Sequence, residues 1–116
     1  MQHLLFVYGT LRKGESNQAF LESAEFLGSH ETAPEYALYD LSGHPAVVEG
    51  HSSIQGEVYL LDDETLARID KLEDVPVEYR REQQIDTPFG RAWIYLYQDT
   101  SQLDVLLSSG DWCQRV

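Results

Sequence analysis

Apolar positions along this chain fall mostly in short runs broken by glycine, proline and acidic turns, a rhythm that predicts strands more often than helices. "LLFVY" (Leu4–Tyr8) is continuous and apolar, as a strand buried on both faces would be. "YALYDL" (Tyr36–Leu41) and "PAVVEG" (Pro45–Gly50) read as short strands joined by the turn "SGHP", and "IQGEVYLL" (Ile54–Leu61) as another. "YRREQQID" and "RAWIYLYQ" flank "TPFG" and predict a hairpin turning at Thr87–Gly90. Three segments carry helical spacing instead. After "GTLRKGES", Ser16 or Asn17 can cap a helix with Phe20, Ala24 and Leu27 on one face and Gly28 at C′. "DDETLARIDKLED" opens on the capping pair Asp62 and Asp63, with an acidic first turn suited to the helix dipole. "SQLDVLLSSG" is expected to form a last helix. Strands with helices inserted irregularly between them give an α+β fold, not the regular alternation of a doubly wound sheet.

Size and charge narrow the function. The 116 residues make one domain, 1–116, with room for a single modest core. At 42 % apolar the chain is too hydrophobic to stay disordered, and no apolar run approaches the roughly 18 residues of a membrane span. The start "MQHLLFVYGT" lacks the basic and apolar regions of a signal peptide, so a cytoplasmic location is expected. A net charge of −12 repels phosphate backbones and anionic lipid, so neither nucleic acid nor membrane is expected as a partner. Oligomeric state is not legible.

Several chemistries are excluded. There is no Gly-x-Ser-x-Gly elbow, and "GTLRKGES" has the wrong order for a phosphate loop. His3, His30, His44 and His51 lack metal-ligand spacing and are read as surface or turn residues; Cys113 is read as a packing or edge thiol. The anomaly is in the second helix. At about 100° per residue, Leu66, Ile69 and Glu73 share one narrow face, with Asp70 on its flank. A glutamate there is paired with an arginine, or lies past the helix end, or sits in a cavity where desolvation raises its pKa; the last arrangement makes a general base. Pro76 stops the helix and Tyr79 opens the next strand, as a core aromatic or as a phenol reaching the carboxylate or a ligand. Gly9, ending the first strand, is either a tight turn or a place where a ligand touches backbone.

"VYGTLRKGESN" and, about sixty residues on, "LARIDKLEDVPVEYRRE" together resemble the γ-glutamylcyclotransferase-like family, with "GEVYLLD" and "YALYDL…HPAVV" in the family's order. The resemblance spans nearly the whole chain. It implies a small mixed β-barrel flanked by helices with a ligand cavity at its mouth. It also implies a substrate loop at Tyr8, Gly9, Thr10 and Leu11, a catalytic Glu73 and a cavity tyrosine at Tyr79. Asp74 stands where many members have glycine, although plant-type members also carry "ED". The implied reaction turns a γ-glutamyl amine or amino acid into 5-oxoproline and a free amine, with no metal or other cofactor. A small-molecule γ-glutamyl compound is the expected partner. The alternative is a non-catalytic protein that binds an amino-acid-like ligand. In either case the loop is expected to line the largest concave pocket.

Overall fold

A computed structural model describes residues 1–114. Strand β1 (Gln2–Val7) alternates into two cores: Leu5 and Val7 face one, Phe6 and Tyr8 the other. β5 (Gln55–Asp62) and β7 (Gly90–Tyr97) divide the same way, which is why these strands are apolar on both faces. With β2 (Glu25–Glu31) and β6 (Tyr79–Thr87) they form a mixed five-stranded sheet ordered β2-β5-β1-β7-β6. β1 lies antiparallel to β5 (Leu5 opposite Tyr59) and parallel to β7 (Leu5 opposite Trp93). A second sheet has the order β4-β3-β8, with β3 at Tyr36–Asp40, β4 at Pro45–Glu49 and β8 at Val105–Leu106.

The α+β class holds, and the mixed β-barrel that the resemblance implies is not seen as a closed sheet among the described residues. β2 and β6 end the larger sheet without pairing to each other, and β4 lies against β7 by packing, with no ladder between them. Two of the three expected helices also fail. Asn17, expected to cap the first, spends its side-chain amide on the Thr10 hydroxyl (2.9 Å) and makes no capping bond. Only a 3-10 turn, Gln18–Leu21, forms, and Gly28 sits within β2, at a register shift against β5. Near the C-terminus, Asp99 caps a 3-10 turn at Thr100–Gln102, and the apolar residues after it pair with β3. Among the described residues no helix is long and apolar enough to cross a membrane.

The one α-helix among the described residues, α1 (Asp63–Leu72), matches its sequence signals. The Asp62 carboxylate accepts the Thr65 N–H (2.8 Å), Asp63 and Glu64 occupy the first turn, and Leu66 and Ile69 are buried. Its end is defined by two bonds, from the Val75 N–H to the Asp70 carbonyl (3.0 Å) and from the Asp74 N–H to the Lys71 carbonyl (3.1 Å). That paired pattern needs a left-handed residue at C′, and Asp74 supplies it with φ 53°. The glycine common at this position in the resembled family thus has a backbone reason. The hairpin forms as expected, with Thr87 opposite Gly90 and the Thr87 hydroxyl donating to the Gly90 carbonyl (2.6 Å).

Candidate functional site

Four elements meet at a small cavity: the loop after β1, the start of β4, the end of α1 and the middle of β7. Its walls include Tyr8, Gly9, Thr10 and Leu11 from the loop, with Pro45, Glu73 and Tyr95. Its volume is about 20 Å³. It is not the largest concavity, contrary to the expectation for this loop. A cleft of about 780 Å³ lies elsewhere, between Tyr36, Glu49 and His51 on one side and Gln84 and Arg91 on the other. The cavity is small because Pro45 presses on Gly9: a Cβ at Gly9 would approach the Pro45 Cβ to 2.7 Å. Gly9 therefore permits a close approach, and in this structure the approaching group is a proline ring.

The loop uses its carbonyls but not its N–H groups. The Gly9 carbonyl accepts the Arg12 N–H (3.0 Å), and the Thr10 carbonyl accepts the Asn17 N–H (2.8 Å). Among the described residues no protein acceptor meets the N–H of Gly9, Thr10 or Leu11. Three consecutive donors without a protein acceptor, on residues that line the cavity, are the kind of backbone group that can bind an anion or a developing oxyanion.

Glu73 is the residue that ends α1. Of the three sequence readings two hold together: it lies past the last helical residue, and it lines the cavity. No arginine pairs with it among the described residues; the arginines nearest in sequence are engaged elsewhere. Burial pushes its carboxyl up to about 7, with a smaller contribution from the neighbouring Glu78 carboxylate.

Three tyrosines surround it. Tyr8, buried, donates to the Tyr95 carbonyl (2.7 Å), and burial, then Tyr79 and Glu73, raises its hydroxyl well above the usual phenol range. Tyr79 stands behind Pro45 instead of on the cavity wall, donating its hydroxyl to the Pro45 carbonyl (2.6 Å). Tyr95 and Pro45 escape sequence reasoning. Tyr95 looks like any aromatic of an alternating strand, yet its hydroxyl donates to Asp70 (2.7 Å) one turn before Glu73. Arg81 grips the same carboxylate through two nitrogens (2.8 and 2.9 Å) while stacking on Trp93. Arg81 is thus neutralised from the helix and not across the hairpin. Arg91 does meet Asp86 (3.3 Å), and Arg80 meets Glu82 and Glu49.

Among the described residues no three His, Cys, Asp or Glu side chains converge to hold a metal ion. His3 bonds Asp63, far from the cavity lining, and the Cys113 thiol is exposed beside Glu15.

Residues 5–114 match the model of the family described as gamma-glutamyl cyclotransferase, AIG2-like. A Vibrio cholerae protein provisionally named a gamma-glutamylcyclotransferase is 66 % identical over 116 residues, all of both chains. The gamma-L-glutamyl-butirosin B gamma-glutamyl cyclotransferase of Niallia circulans is 35 % identical over 120 residues, 95 % of this chain and 75 % of that protein. The crystal structure of an uncharacterized Pyrococcus horikoshii protein superposes with a TM-score of 0.84 at 33 % identity, covering 95 % of this chain and 89 % of the other.

Proposed function

The chain belongs to the gamma-glutamyl cyclotransferase, AIG2-like family, and from that premise we propose that it converts a γ-glutamyl amine or amino acid into 5-oxoproline and the free amine. The observation that carries this reading is the coincidence, in one cavity, of a carboxyl raised to about 7 and three N–H groups with no protein acceptor among the described residues. Support also comes from the Niallia circulans relative, whose name states a cyclotransferase acting on a γ-glutamylated product.

The reaction needs no nucleophile from the protein. The α-amine of the γ-glutamyl group attacks its own γ-carbonyl carbon, a C–N bond forms, and the carbonyl oxygen takes the charge of a tetrahedral intermediate. The N–H groups of Gly9, Thr10 and Leu11 stabilise that oxygen. Glu73 takes a first proton from the ammonium to free the attacking amine, and a carboxyl with a pKa near 7 gives it readily to the departing nitrogen as the second C–N bond breaks. Glu73, again ionised, then takes the second proton from the ring nitrogen, leaving the neutral lactam, and passes it to the released amine. Folding the substrate into a ring-forming conformer supplies the rest of the acceleration. Tyr8 and Tyr79 remain neutral hydrogen-bond donors that shape the site, since burial raises both phenols. A cavity of about 20 Å³ is near the size of one water molecule. A γ-glutamyl group is therefore admitted only as Pro45 withdraws from Gly9.

A panel of γ-glutamyl amines and amino acids, assayed for 5-oxoproline with Glu73→Gln as control, tests the reading. Release by the wild type and not by the variant is expected. Binding of 5-oxoproline or a γ-glutamyl analogue without release from any member of the panel would favour a binding protein instead.

A further inference from the structure

A second carboxylate, outside the cavity, bears on the same loop. Glu57 on β5 is buried, only 7 % exposed, on a strand whose other buried residues are Gly56, Val58, Tyr59 and Leu61. A buried carboxylate is unfavourable unless its oxygens are satisfied, and apolar residues of similar size often serve stability as well or better. Here both oxygens are used. One accepts the Lys13 backbone N–H (3.0 Å) and the Tyr59 hydroxyl (3.0 Å); the other accepts the Arg12 Nε–H (3.3 Å). Arg12 is held from its other side by Asp111 (2.7 Å). In the β1–β5 ladder the Glu57 backbone lies directly opposite Val7. One residue thus holds both ends of the loop: its backbone pairs where the chain leaves β1, and its side chain grips where the chain leaves the turn. Between those anchors lie Gly9, Thr10 and Leu11.

We propose that Glu57 is a positioning residue of the reaction, fixing through Arg12 and the Lys13 amide the direction in which the loop's three N–H groups point. The proposal rests on the cyclotransferase reading for its effect on rate. Donors aimed at a developing oxyanion act only if held in place beforehand, and a shift of about 1 Å can cost about 100-fold. The turn's own bonds, to the Gly9 and Thr10 carbonyls, orient the peptide units that carry the Thr10 and Leu11 N–H groups, but they tie the turn only to itself. Glu57 fastens the turn to the sheet.

Glu57→Gln keeps the shape and one acceptor oxygen but removes the charge that holds Arg12. Arg12→Lys, a second variant, keeps the positive charge and removes the Nε–H donor. Each is compared with the wild type by thermal melting, by NMR relaxation of backbone amides, and by the pH dependence of 5-oxoproline release. The expected result is a folded protein in which the amides of Gly9 to Lys13 gain fast motion. Its kcat should fall about 10–100-fold with KM nearly unchanged, because the lost interaction belongs to the transition state. The midpoint of the pH profile should stay near that of the wild type, because Glu73 is untouched. Wild-type loop order and wild-type kcat in folded Glu57→Gln and Arg12→Lys would overturn the proposal. So would a rate loss that follows only the unfolded fraction. If the wild type releases no 5-oxoproline, the cyclotransferase reading fails by itself, and amide relaxation together with 5-oxoproline titration still decides whether Glu57 orders the loop.

Discussion

Glu73 joins two properties that pull in opposite directions, and one substitution separates them. Its carboxyl is raised to about 7 against an ordinary value of 4.5, so folding favours the protonated form. The stability this contributes is complete below the unfolded pKa and is lost as pH rises through about 7. Glu73→Gln, which cannot ionise, should therefore melt higher than the wild type at pH 8 and about equally at pH 5. The gain should be on the order of 1–3 kcal/mol, given 1.36 kcal/mol per pKa unit and some screening at a partly exposed group. The same variant should lose about 10²–10⁴-fold in turnover. In the wild type, kcat/KM should rise with pH through about 7 as the base ionises. A variant that loses activity without the stability gain at pH 8 would mean that Glu73 is not held in a desolvated site. Gly9 offers a second residue-level test. An added methyl meets the Pro45 ring, so Gly9→Ala should cost about 1–3 kcal/mol by overpacking and should weaken binding of 5-oxoproline, read by melting and by NMR titration.

At the scale of elements, what places Glu73 is the way α1 ends. Backbone bonds from Asp74 and Val75 stop the helix, and Arg81 with Tyr95 fastens the Asp70 side chain of the last turn to β6 and β7. Asp74→Gly relieves a left-handed backbone and should be neutral or stabilising by up to about 1 kcal/mol with activity kept. Asp70→Asn weakens a partly buried bidentate pair. It should cost about 1–3 kcal/mol and lower kcat as Glu73 loses its footing, measured by denaturant unfolding and 5-oxoproline release. Much of this element is legible in the sequence. Helical spacing puts Glu73 on the stripe of Leu66 and Ile69, and Asp62 and Asp63 mark the acidic start of α1. The continuous runs of β1 and β5 identify buried strands, because strands covered on both faces need no polar alternation. β2 and β8 escape the pattern because both are edge strands. Their partially exposed residues show no clean alternation, and open ladder positions on β5 and β3 decide their conformation. Helical spacing at Phe20, Ala24 and Leu27 cannot prevail once the side chain of Asn17 bonds Thr10 instead of capping a helix. Pro45 and Tyr95 reach the cavity only through tertiary packing, so no local pattern marks them.

The whole molecule carries its charge unevenly. Of 20 acidic and 8 basic residues, the arginines at 12, 68, 80, 81 and 91 each sit against a carboxylate, leaving a surface of excess negative charge. Two effects of salt then compete. Screening weakens those ion pairs, most of which are exposed and contribute little each. It also weakens repulsion among the surplus carboxylates, which acts over the whole surface and opposes the compact state. Raising ionic strength from about 0.01 to 0.15 M shortens the screening length from about 30 to about 8 Å, shorter than the molecule's smallest extent of 25 Å. Relief of repulsion should outweigh the weakened pairs, so the melting temperature should rise with salt. A net gain of about 1 kcal/mol corresponds to roughly 4 °C for a chain of this size. The same surplus should keep duplex DNA from binding at about 0.15 M salt in a mobility-shift assay, since no basic stripe is available to displace counterions. A melting temperature that falls over this range would show that the local pairs outweigh the global field. In that case the exposed pairs, Arg80 with Glu49 and Glu82 and Arg91 with Asp86, are where the loss should be sought first, through the salt dependence of Arg80→Gln and Arg91→Gln, since salt screens a partly buried pair such as Arg81–Asp70 much less.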